Sequence, residues 1–253
     1  MATCFRDSSA PVLDKTGSVR YYTRVGIKAV GFDLDGTLYP AWMMYAVSVD
    51  IGIRHPRLLQ AYSAARRIMR TRKFSEAADS TQPFKARQAA LIARSLGTDP
   101  EIVSKAIDTT IYSIIENRFS YIRPFKGAAA CLDSLHKAGL KLGLLSDLPP
   151  VKKIGLMGLD GYFESMLCSE DFGALKPDPR PFVALAQALE TPPASILYVG
   201  NKHEYDVLGA KAAGMQTALV SRRKSGCADF TFHAWDELRE WVLLRQPSGS
   251  QIE

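Results

Sequence analysis

The chain has few cysteines, no long apolar stretch and no dominant sign of charge. Its four cysteines, Cys4, Cys131, Cys168 and Cys227, lie far apart and form no CxxC pair. Neither zinc-ligand spacing nor a disulfide framework is visible, and reduced thiols are expected. No apolar run reaches the ~18 residues that cross a bilayer, and residues 1–24 lack the continuous hydrophobic centre of a secretory signal. The expectation is a cytoplasmic protein without a membrane partner. What the chain does have is 253 residues, 47% hydrophobic and 23% charged. That composition excludes disorder as the main state and allows one to two packed domains.

Thirty-two Lys and Arg against twenty-six Asp and Glu leave +6. Residues 1–40 contribute five basic against four acidic residues, residues 41–120 twelve against seven, and residues 121–253 fifteen against fifteen. Nearly all of the surplus therefore sits in 41–120, with its densest run over Ala65–Lys73. A charge run is ordinarily a solvated face. If this one lines a cleft, it favours an anionic ligand. No RRM, zinc-finger or second basic stripe accompanies it, so nucleic acid is not expected as a partner.

Short apolar runs at Ile27–Phe32, Leu140–Leu145, Ser195–Val199 and Gln216–Val220 read as buried strands. Helix-like stretches at 126–138, 179–190 and 203–213 precede the last three. This alternation predicts an α/β core, a doubly wound parallel sheet covered on both faces. Residues 41–120 interrupt it with helical spacing, as in Ala89, Ile92, Ala93 and Leu96, then Val103, Ile107, Ile111 and Ile114. The organisation read from this is a leader over 1–26, a Rossmann-like core over 27–40 and 121–246, a helical insertion over 41–120 and a tail over 247–253. Trp235, Leu238, Trp241 and Val242 suggest a last helix on the core.

Chemistry concentrates where strands end. Asp33-Leu34-Asp35-Gly36-Thr37 follows the first strand, and ligands of open parallel sheets bind at the carboxyl ends of strands. Two carboxylates two positions apart are able to share a divalent ion, or to divide the work of nucleophile and proton donor. A polar turn is the plain alternative. A calcium loop needs a glutamate at its twelfth position, and the residue there is Met44. The second strand ends in Ser146-Asp147, where a hydroxyl could donate to an anion. Lys176 precedes Pro177-Asp178-Pro179, with Asp178 opening a helix. Gly200-Asn201 closes the third long strand and is followed by Asp206. Each signal has a structural reading of its own; their order is the stronger information.

In that order FDLDGTLYP, LLSD, SEDFGALKPDPRPF and YVGNKHEYDVLGAKAAGM resemble the four motifs of the haloacid dehalogenase-like hydrolases, from about Ile27 to Val220. The resemblance implies a Rossmann-like core with an all-helical cap inserted after the first motif, and a phosphatase acting on a small phosphorylated metabolite such as a sugar phosphate, glycolate phosphate or nucleoside monophosphate. It implies Asp33 as nucleophile forming an aspartyl phosphate, Asp35 as acid and base, and Lys176 and Ser146 as holders of the phosphoryl group. Gly36, Thr37 and Asp147 join them at the substrate, and Arg66, Arg70 and Tyr62 of the insertion are candidates to touch it. Mg2+ would bind through Asp33, the backbone carbonyl of Asp35 and Asn201, with Asp206 joining the metal site, through a water, or orienting Lys176. One position departs: Asn201 stands where metal-dependent members usually carry aspartate, and asparagine there resembles the metal-free dehalogenase branch, which typically lacks Asp35. A dehalogenase or phosphomutase, and a catalytically weakened binding protein, are the alternatives. A homodimer is left open.

Overall fold

The computed structural model describes residues 25–71, 82–223 and 225–246, with 114–116 and the short stretches 12–13 and 19–20 described by backbone alone. Within the span read as a leader, β1 (Val12–Leu13) and β2 (Val19–Arg20) form an antiparallel pair. The predicted tail, 247–253, lies outside the described residues.

The centre is a six-stranded, all-parallel sheet in the order β5-β4-β3-β6-β7-β8. Its strands are β3 (Ala29–Phe32), β4 (Lys141–Ser146), β5 (Ser165–Cys168), β6 (Ile196–Gly200), β7 (Gln216–Val220) and β8 (Phe230–Phe232). The four expected strands are present. The sequence pattern missed β5 and β8, which end the sheet: their residues are mostly half-buried, so neither shows the continuous apolar run that marks a strand covered on both faces.

Period-two alternation sends Val30, Phe32, Leu142, Leu144, Leu197 and Val199 into one apolar layer. Ala29, Leu145, Ile196 and Tyr198 go into the other. The first layer is covered by the helices Ala128–Lys137 and Trp235–Leu243, the second by Pro179–Ala188, which brings Phe182 and Leu185. Gly31 and Gly143 make that second contact close. A Cβ on Gly31 would stand 2.7 Å from Leu185 Cδ2, and one on Gly143 2.8 Å from Leu185 Cδ1. The Asp178 side chain caps Pro179–Ala188 by accepting from the Arg180 N–H at 3.0 Å, as the sequence led one to expect.

Among the described residues, 41–118 contain helices and no strand: α1 (Ala41–Arg54), α2 (Pro56–Met69), α3 (Phe84–Leu96), α4 (Pro100–Ala106) and α5 (Ser113–Arg118). A π-helical segment, Ile107–Tyr112, joins the last two, and a second one, His203–Val207, follows β6. Wide turns of this kind often occur where a side chain must be re-aimed. Here they carry Tyr112 and Asp206, both used below. One expectation fails: Cys227 is disulfide-bonded, since separation along the chain says nothing about separation in space. Cys131 and Cys168 are free and buried, and burial pushes both thiols up to about 12. No described helix is long and apolar enough to cross a membrane.

Candidate active site

The chain leaves β3 between β4 and β6, where successive strands switch from one side of the sheet to the other, so a crevice opens at their carboxyl ends. Asp33 sits at its floor, its N–H donating to the Val199 carbonyl at 2.9 Å. The carboxylate is fixed at both oxygens: Thr37 Oγ1 donates to Oδ2 at 2.6 Å and Lys176 Nζ to Oδ1 at 2.5 Å. Lys176 is buried and donates also to Asp206 Oδ1 at 2.7 Å. One ammonium thus serves two buried carboxylates. Burial holds against the Lys176 charge, yet Asp206 and Asp33 keep the ammonium well above its ordinary range. Burial lifts the Asp33 carboxyl to about 7, opposed by Lys176 and assisted by Asp206 and Asp35.

Asp35 lies in a different setting. Tyr39 Oη donates to Oδ1 at 2.5 Å, Lys153 Nζ reaches both oxygens at 3.3 and 3.4 Å, and Ser146 Oγ donates to Oδ2 at 3.3 Å. Lys153 is almost completely buried and stands 5.1 Å from the Phe119 ring. Burial, then the Asp35 charge, pushes the Tyr39 phenol far above its usual range, so it stays a donor. Tyr39 and Lys153 were not singled out in the sequence. Tyr39 lies inside the first motif, but Lys153 stands in an otherwise unremarkable helix, Val151–Leu156.

Gly36 has φ +90°, and a Cβ there would stand 2.3 Å from Asn201 Nδ2. The turn therefore needs glycine both for its conformation and for the closeness of the asparagine. Asn201 Oδ1 is buried and has no hydrogen-bond partner among the described residues. Asp206, grouped with the metal ligands from sequence, spends its oxygens otherwise: Oδ2 accepts from the Asn201 and Lys202 N–H groups at 3.0 and 2.8 Å, and Oδ1 from Lys176. Its geometry is that of a group orienting Lys176 and the Asn201 loop.

Asp147 is likewise occupied. Oδ1 accepts from the Lys176 N–H at 3.1 Å and Oδ2 from Arg70 Nη1 at 2.5 Å. Burial works against its charge, but Arg70, then Lys176 and Arg66, hold the carboxyl at about 2. Both carboxylate oxygens of Asp147, a residue expected from sequence at the substrate, are thus engaged by the walls of the cleft that it lines. Arg66 on α2 and Arg70, one turn further on at the cap of that helix, do reach the cleft while Arg67 stays exposed. Arg66 Nη2 donates to the Asp147 carbonyl and Arg70 Nη1 to the Lys176 carbonyl, both at 2.7 Å. The cleft between them and Asp33 has a volume of about 220 Å³. Arg72 and Lys73, the end of the basic run, lie outside the described residues.

Two carboxylates at a strand end, a buried lysine and a turn of small residues thus meet at the carboxyl end of a parallel α/β sheet. Residues 27–214 match the family of haloacid dehalogenase-like hydrolases, and the chain belongs to that family. Among its relatives is the glyceraldehyde 3-phosphate phosphatase of Methanopyrus kandleri, 29% identical over 78% of this chain and 85% of its own. A HAD phosphatase of Thermococcus onnurineus superposes with TM-score 0.59 at 25% identity, covering 87% of this chain and 99% of that one. A 2-haloacid dehalogenase of Pseudomonas syringae does so with TM-score 0.60 at 26% identity, over 87% and 99%.

Proposed function

We propose that the protein is a magnesium-dependent phosphatase that hydrolyses a small phosphorylated metabolite through an aspartyl phosphate on Asp33. The observation that carries this reading is the pair of carboxylates at the end of β3, held in different ways: Asp33 fixed by Thr37 and Lys176, Asp35 by Tyr39, Lys153 and Ser146. Asp33 Oδ attacks phosphorus in line, and the pre-oriented carboxylate supplies much of the rate. Asp35 gives its proton to the departing ester oxygen. It then takes one from the water that opens the acyl phosphate, which returns Asp33 as a carboxylate and releases inorganic phosphate. The Lys176 ammonium and the Ser146 hydroxyl hold the transferring phosphoryl group, together with the Gly36–Thr37 turn.

The donor set suits magnesium. Asp33 offers a carboxylate, Asp35 a backbone carbonyl and Asn201 the buried amide oxygen that lacks a partner, and a small hard cation favours oxygen ligands and retains water. Bound there, the ion would neutralise charge between the Asp33 carboxylate and the phosphate. Asn201 would hold the ion with one charge fewer than an aspartate, which would make affinity weaker than in a carboxylate-rich site. The reading assigns 27–40 and 121–246 to the catalytic core and 41–120 to a cap, with a cytoplasmic location and neither nucleic acid nor membrane as partner.

Hydrolysis of p-nitrophenyl phosphate tests it. Turnover is expected with Mg2+, abolished by EDTA, and reduced roughly 1000-fold or more in Asp33→Asn. Turnover that is indifferent to Asp33 and to divalent ions would refute the proposal. Asn201 and the P. syringae neighbour favour a second reading, carbon–halogen cleavage. Asp35 argues against it, because a departing halide needs no proton, and halide release from 2-chloropropionate decides.

A further inference from the structure

Where the insertion meets the core, its side chains are partnered. Arg66 of α2 is buried and Nη1 donates to Glu170 Oε1 at 2.5 Å, while Tyr112 Oη donates to both Glu170 oxygens at 3.0 Å. α1 differs. Its inner face sends Met43, Met44, Val47 and Ile51 into the apolar core, and Asp50 pairs with Arg118 at its flank. Its outer face is apolar too: Trp42, Tyr45, Val49 and Ile53 are 65, 73, 62 and 76% exposed, and Ala46 is exposed among them. Helical spacing sets these side chains on one stripe roughly 100° wide. Arg54 is the one charged residue of α1 that is exposed. Among the described residues, the other large apolar side chains exposed on the insertion are Ile68 on α2 and Ile102 on α4, one to a helix.

A helix that is apolar on every side is ordinarily buried, and a continuous apolar patch on a surface ordinarily meets a partner. Of the described residues that line the cleft, none belongs to α1. The stripe is therefore not a wall for the substrate. A membrane is a poor occupant, because a helix lying on lipid sets a Lys- and Arg-rich face against its apolar one, and the basic residue of α1 is Arg54 alone.

The order of side chains along the stripe fits a second copy. Two copies of one helix packed antiparallel about a two-fold axis bring together residues whose positions add to a constant. With the axis between Val47 and Ser48, Trp42 of one copy meets Ile53 of the other and Ala46 meets Val49, each pair occurring twice. Tyr45 falls opposite Asp50 at the rim and Arg54 opposite Ala41, so like charges do not meet. The small Ala46 lies next to the axis, where the helices come closest. Two aromatic and two branched aliphatic side chains expose on the order of 500 Å² on each copy, and joining two copies removes about 1,000 Å² from water, the area at which specific interfaces begin.

We infer that the protein is a homodimer joined through the outer face of α1, packed antiparallel on its own copy. Light scattering on the whole chain tests it, and wild type is expected at twice the mass of one chain. Val49→Glu enters the interface twice by symmetry and puts two carboxylates into its apolar centre. It is expected to raise the dimer dissociation constant on the order of 100-fold or more, measured by sedimentation over a dilution series. Ile102→Glu, a like change on an exposed apolar residue of α4, is expected to leave that constant unchanged. Circular dichroism reports whether each variant is folded, and if Val49→Glu is not, Ile53→Lys at the end of the stripe takes its place. A wild type that is monomeric throughout the series would overturn the inference and leave the stripe to another part of the chain or another partner. A dimer that Val49→Glu and Ile53→Lys both leave intact would overturn it equally, as would a monomer that sediments with vesicles of phosphatidylcholine and phosphatidylglycerol.

Discussion

Lys176 shows how one residue is made functional by its neighbours. From sequence it is a loop lysine before Pro177. In the fold it is buried between two carboxylates, Asp33 and Asp206, and donates to both. Asp206 also binds the N–H groups of Asn201 and Lys202, so it sets both the lysine and the asparagine. Asp206→Asn leaves the Lys176–Asp33 pair but removes half of the charge that holds the ammonium. The expected result is a loss of roughly 2–4 kcal/mol in stability, read from urea unfolding, and a fall in kcat of roughly 100-fold from a misplaced lysine. Asp206 was visible in the sequence as chemically relevant. Its role was left open there between reaching the metal, directly or through a water, and orienting Lys176, and its hydrogen bonds are those of the orienting group.

At the scale of elements, the central strands were legible because burial on both faces leaves them continuously apolar. The sheet edges were not. What brings the helix Pro179–Ala188 close enough to the sheet is the pair Gly31 and Gly143 on adjacent strands, facing Leu185 and Leu189. Gly143→Ala places a methyl 2.8–2.9 Å from the Leu185 and Leu189 side chains, and the expected cost is roughly 1–3 kcal/mol of overpacking. A lower urea midpoint at unchanged m value checks it. An unchanged midpoint would mean that the leucines move aside freely. The two π-helical segments belong to this scale too: the apolar spacing predicted helix over 103–114 and 203–213, and helix is present, but the wide turns that deliver Tyr112 and Asp206 have no signature in apolar spacing.

The whole molecule joins insertion to core through α2. Arg66 and Arg70 donate to the carbonyls of Asp147 and Lys176, so the insertion grips the backbone beside Ser146 and at Lys176. Among the described residues, the basic side chains of 41–120 thus include solvated ones such as Arg67, ones paired inside the insertion such as Arg118 with Asp50, and Arg66 and Arg70 paired across the seam. The Asp147 carboxyl, held at about 2 against an ordinary 3.8, contributes stability that is complete above pH 3.8 and is lost as pH falls toward 2. Across pH 5 to 2 the advantage of wild type over Asp147→Asn is expected to shrink by roughly 2 kcal/mol. Urea titrations of both proteins at each pH measure it, and an advantage that stays constant or grows on acidification would contradict the pairing.

The order of residues along the chain was enough for the α/β class, the helical insertion and the candidate carboxylates, lysine and asparagine. These depend on local pattern: apolar period, strand ends, and motifs short enough to read in one segment. Three things required the tertiary structure: that Asp147 and Asp206 are spent on neighbours, that Tyr39 and Lys153 hold Asp35, and that Glu170 neutralises Arg66. Each joins groups from separate stretches of chain, or depends on which of several available partners a charge takes in the packed interior. Charge counted along a segment measures supply. Whether a substrate meets that charge is decided by the pairs that form when the segments come together.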